Sequence, residues 1–544
     1  MKTTKQSTAL QQLADRAYAL FFQFRSAYVK ERQRLNHCER MYRGDHWYDI
    51  PIEDPNEPRP ATPILQSTIE NISADLMEQV PEAVIRPESA ADGEIARIVE
   101  AVIARNHDAA AYPEEYRKLV HDLLVCGYCV QEVGYDSELN GRLGGAFLRH
   151  VDVRNILFDP LCCDVQDCRA IFKFSLRPRE WVQAHYPDQA ALIASDPAAA
   201  ADAPEDDLLT ADRTDSLLLL EYWYREYDPK AGTHAVHMAI LCGGIVLEDS
   251  RVQKPDGYFA HGEYPFVLTP LYPRKGSALG FGIIDLFGEQ QRYADKLDQI
   301  VLKNALMASR NKLLLTDASG FDEADLRDWS KEVHVGESLS GITWFSTPPL
   351  PQYLIAYIKS IREDINEESG ANDSSRGAAT NGVTAASAIE ALREASTKRA
   401  RMATDQLHEA FRKAVRMEIE VEREFNFYLR PVTISIDGQQ QEVLFDSAAM
   451  NRTVPGGVQL PIEFSISIKA VQKTRFAIAA QNELMLHLLD LGVIPPDQAI
   501  ALMEFEGKEQ VLKHLDSAQA ATPPDAAPAK LKKSKQKENR NAVS

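Results

Sequence analysis

Residues 283–310 carry apolar side chains at helical intervals, with no proline and no glycine after Gly288. About 28 residues at 1.5 Å each make a rod roughly 42 Å long. Residues 311–350 read as a compact insert with strand-like stretches at 312–315, 333–335 and 342–345, closed by Pro348-Pro349. Helical periodicity returns over 352–369, so the expected order is helix, small insert, antiparallel helix. Residues 370–382 are small and polar with three glycines, a composition that holds no regular structure and predicts a flexible loop. Ser387-Ala-Ile-Glu390 then has the form of a capping box. Ile389, Leu392, Leu407, Phe411, Val415, Ile419 and Phe425 keep helical spacing for about 40 residues.

Before this stretch, residues 9–43 read as one amphipathic helix ending near Gly44, and the proline-rich 51–63 as an extended loop. Helical periodicity resumes over 64–80, 81–87 reads as a short strand, and 95–125 is helical again. An antiparallel sheet is expected over 130–174, a mobile Ala/Asp/Pro loop over 194–212, and strands over 217–227 and 258–271. After the long helix, strands are expected at 431–445 and 462–470 and helices at 476–491 and 496–515, parted by a turn at 492–495. The Ala/Pro-rich 518–528 leads into Lys530, Lys532, Lys533, Lys535, Lys537 and Arg540, either a solvated tail or one that touches nucleic acid. The fold class is α+β and mainly helical. No internal repeat is visible.

At 544 residues the chain should form two to four structural regions. Its formal net charge of −20 argues against broad gripping of nucleic acid, which needs Lys and Arg to neutralise phosphates. An acidic surface suits an ordinary cytosolic protein, and equally a channel that must not hold a passing duplex. Neither a secretory signal nor an apolar run of about 20 residues is visible, so a reducing cytoplasm and unbridged thiols are expected.

Cys126 and Cys129 with Cys162, Cys163 and Cys168 are enough residues for a zinc site. The first pair, however, falls where a helix passes into a strand, and the second group lacks the usual spacing, so they read as thiols. His234, His237 and Cys242 read as strand residues, and Asp364, Glu367 and Glu368 as a solvated helix face. No phosphate loop, HExxH, GxSxG elbow or deaminase pairing occurs, and Gly280-Phe-Gly282 is only the start of a dinucleotide fingerprint, with Asp285 at the third glycine. No catalytic, cofactor-binding or metal-ligating residue is assigned, and the chain does not read as an enzyme.

The run from Gly280 through Phe281, Gly282, Ile283 and Ile284 to Lys296, continuing to Asn311, resembles the first stem helix of the portal (head-to-tail connector) proteins of tailed bacteriophages, particularly the podophage type. The insert, returning helix, Gly/Ser/Asn-rich loop and the long helix running from Thr384 through Glu390 to Arg399 resemble clip, second stem helix, channel loop and channel-lining helix in the same order. Arg43-Gly-Asp-His-Trp47, Asn71-Ile-Ser-Ala-Asp75 and Asn155-Ile-Leu-Phe-Asp-Pro160 are similar to segments of the portal wing.

The resemblance implies a portal fold with an N-terminal helical and α+β wing at 1–280, stem helices at 281–310 and 351–369, and a clip at 311–350. It implies a channel loop at 370–383, a channel-lining helix at 384–430, wing strands at 431–470, crown helices at 471–517 and a disordered basic tail at 518–544. It further implies a twelve-subunit ring at one capsid vertex of the virion, assembled in the host bacterial cytoplasm, through which double-stranded DNA is packaged and ejected without sequence readout. The implied partners are the packaging terminase, head–tail adaptors, and the major capsid and scaffolding proteins; no membrane is involved. Asn372, Asp373, Ser374, Ser375, Arg376, Thr380 and Asn381 would meet DNA at the bore, and Lys398, Arg399 and Arg401 would meet either DNA or a neighbouring subunit's acids. The alternatives are another structural virion protein, a scaffold or tail adaptor, and then an enzyme of nucleic-acid metabolism.

Overall fold

Phe21 and Phe24 decide where the first helix lies, because aromatic rings one turn apart on an otherwise polar helix must find a common apolar surface. Helix α1 (Lys2–Ala27) is followed almost without interruption by α2 (Val29–Tyr42). The single helix expected over 9–43 is broken only at Tyr28, whose ψ of 1° departs from helical geometry. Gly44, at a φ of +81°, ends α2 in the left-handed region that glycine adopts without steric cost. Next come α3 (Ile64–Met77), strand β1 (Pro81–Pro87), α4 (Gly93–Ala109) and α5 (Tyr112–Val125).

The one helix expected over 95–125 is therefore two. Ala111 sits at a φ of +51° and Pro113 in the first turn of α5 has no N–H to continue the preceding ladder. The sheet expected over 130–174 also divides. Strands β2 (Tyr128–Asp136) and β3 (Gly145–Val151) belong to one sheet, while β4 (Ile156–Phe158) and β5 (Ala170–Pro178) begin another. Strands β6 (Ser216–Asp228), β7 (Thr233–Cys242) and β8 (Ile245–Asp249) complete that five-stranded antiparallel meander. Phe21 meets it edge-on at Phe172 and Phe174, with centroids 5.6 and 5.7 Å apart, and Phe24 meets Phe172 at 5.4 Å. Strand β9 (Phe266–Pro270) returns to pair with β2, giving the order β3-β2-β9; residues 258–265, expected in the strand, are turns and bends.

The central run forms α6 (Ile283–Ser309), α7 (Gln352–Ser369) and α8 (Lys398–Phe425). Strands Lys312–Leu315 and Ile342–Phe345 lie as expected and pair antiparallel. Residues 333–335, expected as a strand, form none: Val333 and Val335 have no partner strand and stand in solvent. Strand Phe464–Ala470 pairs residue for residue with β1, joining segments nearly 400 positions apart. Helix α8 packs against β2, β3 and β9, and Leu407, Phe411, Val415 and Ile419 on it are buried. No helix among the described residues is long and apolar enough to cross a membrane.

The computed structural model describes residues 2–78, 80–190, 193, 216–228, 233–309, 312–328, 330–345, 348–369, 398–426, 429–436, 439–454, 458–470, 475–492, 494–495, 499–500 and 502–503. The chain divides into two compact units, Met1–Ile434 with Gln440–Val471, and Ser435–Gln439 with Gln472–Ser544. The smaller contains helix Arg475–Asp490, close to the helix expected at 476–491, and Gly492 at a φ of +70° follows it. The loop expected at 194–212, most of the helix expected at 496–515 and the tail from 518 lie outside the described residues.

Candidate assembly surface

Three- and four-residue spacing along α6 separates two faces. The inner face buries Ile283, Ile284, Phe287, Gln291, Ala294 and Asp295, all in the first half of the helix. Gln291 and Asp295 are polar and fully enclosed, so each must be satisfied internally. The Asp295 carboxylate lies 2.5 Å from Nδ1 of the buried His46 and accepts from the Thr62 amide at 3.0 Å. Gln291 donates to the Thr62 carbonyl at 2.7 Å and accepts from the Leu65 amide at 3.3 Å. The other ring nitrogen of His46 reaches the Met41 carbonyl at 3.1 Å. The proline-rich segment, which cannot form a helix, therefore uses its free backbone groups to clasp α6.

Ion pairs complete the clasp. Arg34 on α2 donates to Asp285 at 2.6 Å and to the Cys126 carbonyl at 2.8 Å, Arg292 pairs with Asp49, and Lys303 reaches Glu57 at 2.9 Å. Arg362 on α7 meets Asp298 at 2.7 Å, and Asn304 donates to the Pro348 carbonyl at 3.2 Å. The later residue of α6 bonds the earlier residue near α7, as antiparallel neighbours require.

The outer face is different. Leu286, Tyr293, Ile300 and Met307 follow one another at seven-residue intervals, which places them in a single line along the rod, and each is 43–58 % exposed. Beyond Asp295 no side chain of α6 is buried. On α7, Ile358, Ile361 and Ile365 are buried while Tyr353, Ile355 and Tyr357 remain 56–69 % exposed. Single exposed apolar residues are ordinary, but a stripe of this length on a rigid helix marks a surface made to be covered.

Helix α8 is held from its other end. Glu418 and Glu422 are enclosed; Glu418 meets Nε2 of His107 at 2.9 Å, and Glu422 accepts from Asn106 at 2.5 Å and from the Ala146 amide at 2.7 Å. Burial pushes the Glu418 carboxyl up, opposed by His107. Glu424 accepts from the Ala260 amide at 2.8 Å and pairs with Lys254, docking the 257–263 turn on the end of the helix.

In that turn His261 stacks on Phe259 at 5.1 Å and accepts from the Glu263 amide, and its Nε2 has no hydrogen-bond partner among the described residues. Burial pulls this ring down to about 4, with Glu424 opposing. A ring lowered on folding contributes stability that is complete above its unfolded value of about 6.5 and is lost as pH falls toward 4, an effect of about 3 kcal/mol. His261→Gln should therefore shrink the fall in melting temperature between pH 7 and pH 4.5; equal falls in variant and parent would contradict this.

A model of the phage P22-like portal protein family matches residues 19–543. The chain belongs to that family. No curated protein matches it.

Within this portal-family chain, Asn372, Asp373, Ser374, Ser375, Arg376, Thr380 and Asn381 lie outside the described residues, as does the start expected for the long helix. Lys398 and Arg399 stand in the first turn of α8, and Arg401 is exposed. Met402, Asp405, Glu409, Lys413 and Arg416 continue an exposed stripe at three- and four-residue intervals, one not picked out from the sequence although its spacing is there to read. All seven cysteines are free, five of them buried. The cysteine groupings do not converge on one point; among the described residues the one cluster with metal-ligating donors in reach of each other is Glu39, Asp122 and Cys126. His234 and His237 lie on β7, a strand as expected.

Proposed function

We propose that this chain is the subunit of a ring at one capsid vertex, through which viral double-stranded DNA is packaged and later ejected. The observation that carries the reading is the uncovered stripe on α6, which is apolar, rigidly clasped on its other side, and left open in a single chain. A head-to-tail contact that closes by rotation covers such a stripe in every copy, and twelve copies is the family's number. In this reading 1–280 and 431–470 are wing, α6 and α7 the stem, 311–350 the clip, 370–383 and 384–430 the channel loop and its helix, and 471–517 the crown.

The clip is the face that meets the packaging terminase and afterwards head–tail adaptors, while capsid and scaffolding proteins surround the wing. The net charge of −20 favours passage over adhesion. Arg376, Asn372 and Asn381 make brief phosphate contacts, tempered by Asp373, with Ser374, Ser375 and Thr380 as small polar neighbours. Lys398, Arg399 and Arg401 serve either DNA or an adjoining subunit's acids. The work is mechanical and positional, with no catalytic step.

Exchanging residues 372–381 for a short Gly/Ser link tests the conduit role. Rings should still form, and particles built from them should retain less DNA. Packaging and retention equal to those of the parent would overturn the assignment of this loop.

A further inference from the structure

Glu39 on α2, His121, Asp122 and Cys126 at the end of α5, and His150 on β3 come from three elements and meet at a cleft of about 400 Å³. Asp122 and Cys126 are four residues apart and so share one face of the helical turn, and α2 brings Glu39 to them by packing on α5. One donor atom each from Glu39, Asp122 and Cys126 lie within 4.8 Å of one another. His121 Nε2 is 3.2 Å from Glu39 Oε1, Cys126 Sγ is 3.8 Å from the same oxygen, and His150 Nε2 is 2.6 Å from Asp122 Oδ2.

We propose that this is a divalent transition-metal site of the zinc class, with Glu39, Asp122 and Cys126 as ligands, a water completing the tetrahedron, and His121 and His150 steadying Glu39 and Asp122 from outside. One sulfur and two carboxylates form a mixed set that suits zinc and leaves too few oxygens for calcium or magnesium. Tetrahedral zinc with bonds of 2.0–2.3 Å sets its donors about 3.3–3.8 Å apart, so the three donors, now within 4.8 Å of one another, tighten by about an ångström on binding. The thiol proton leaves to solvent when sulfur binds.

Three of the cations near the cluster have acids of their own: Arg154 holds Asp152 at 2.9 Å, Lys118 holds Glu115 at 2.6 Å, and Arg34 holds Glu31 and Asp285, both at 2.6 Å, while Arg117 also lines the cleft. The carboxylates of Glu39 and Asp122 supply the negative charge that an incoming ion would meet. A metal here would staple α2, which carries the Arg34 link to α6, onto α5. The inference uses none of the α6 stripe residues and does not depend on the ring.

The full-length protein, stripped by a chelator, should take up one cobalt(II) per chain with a thiolate-to-cobalt charge-transfer band and tetrahedral ligand-field absorption. Zinc should displace the cobalt and raise the melting temperature. Cys126→Ser should abolish the charge-transfer band, Glu39→Gln should weaken binding about tenfold or more, and Cys163→Ser, at an exposed thiol elsewhere, should change neither. Should Cys126→Ser fail to fold, the parent spectrum decides alone. No cobalt uptake at metal concentrations well above micromolar, uptake without a thiolate band, or an unaltered band in Cys126→Ser would overturn the site.

Discussion

Asp295→Ala should loosen the clasp on α6 by about 3–5 kcal/mol, because it strands a buried histidine and removes the acceptor of the half-buried Thr62 amide. Asp295 is 1 % and His46 3 % exposed, so water cannot readily replace the lost partner. The amides of Thr62 and Leu65, which donate to Asp295 and Gln291, report the local opening directly. Their hydrogen exchange should quicken by about 10²–10³-fold, whereas amides of the five-stranded sheet should change little. Asp295→Asn keeps an acceptor for Thr62 and should fall between parent and alanine. Exchange at Thr62 unchanged within about threefold in Asp295→Ala would contradict the role given to this pair.

The second large effect concerns the uncovered stripe. Ile300→Asp combined with Met307→Asp should abolish ring formation while leaving the single chain as stable as the parent, since both side chains are exposed in it. Each residue is about half exposed, so covering it contributes about 1 kcal/mol per contact, and a carboxylate placed there instead must be desolvated at a cost of several more. The penalty recurs at every contact of a closed ring. Sedimentation should show the variant as a monomer with the melting temperature of the unassembled parent chain; rings of normal yield, or a variant that melts well below the unassembled parent, would both count against the stripe as the contact.

Much of the fold was legible where the chain punctuates itself. Pro81–Pro87 is bounded by prolines, Pro348-Pro349 closes the insert ahead of Gln352–Ser369, and short apolar runs mark Lys312–Leu315 and Ile342–Phe345. The break at Ala111 was legible only in Pro113, since alanine is a helix former and only its tertiary setting holds it at positive φ. Val333 and Val335 favour strands by propensity but have no partner strand, and propensity cannot supply one.

The candidate site divides the same way. The rod of α6 was plain from periodicity, but not its two faces, since the inner one is defined by His46 and Thr62, more than 230 positions away. The outer stripe was present as Leu286, Tyr293, Ile300 and Met307, yet an apolar position alone does not say whether it is covered by its own chain or by another. Cys126 was noticed as half of a pair with Cys129, when its neighbours in space are Glu39 and Asp122.

Electron micrographs and native mass measurement of the purified parent protein under assembling conditions test the central claim most directly. Annular particles with an axial opening and a mass near twelve chains are the predicted result. A population that stays monomeric at every concentration, with the α6 stripe still open to solvent labelling, would contradict it.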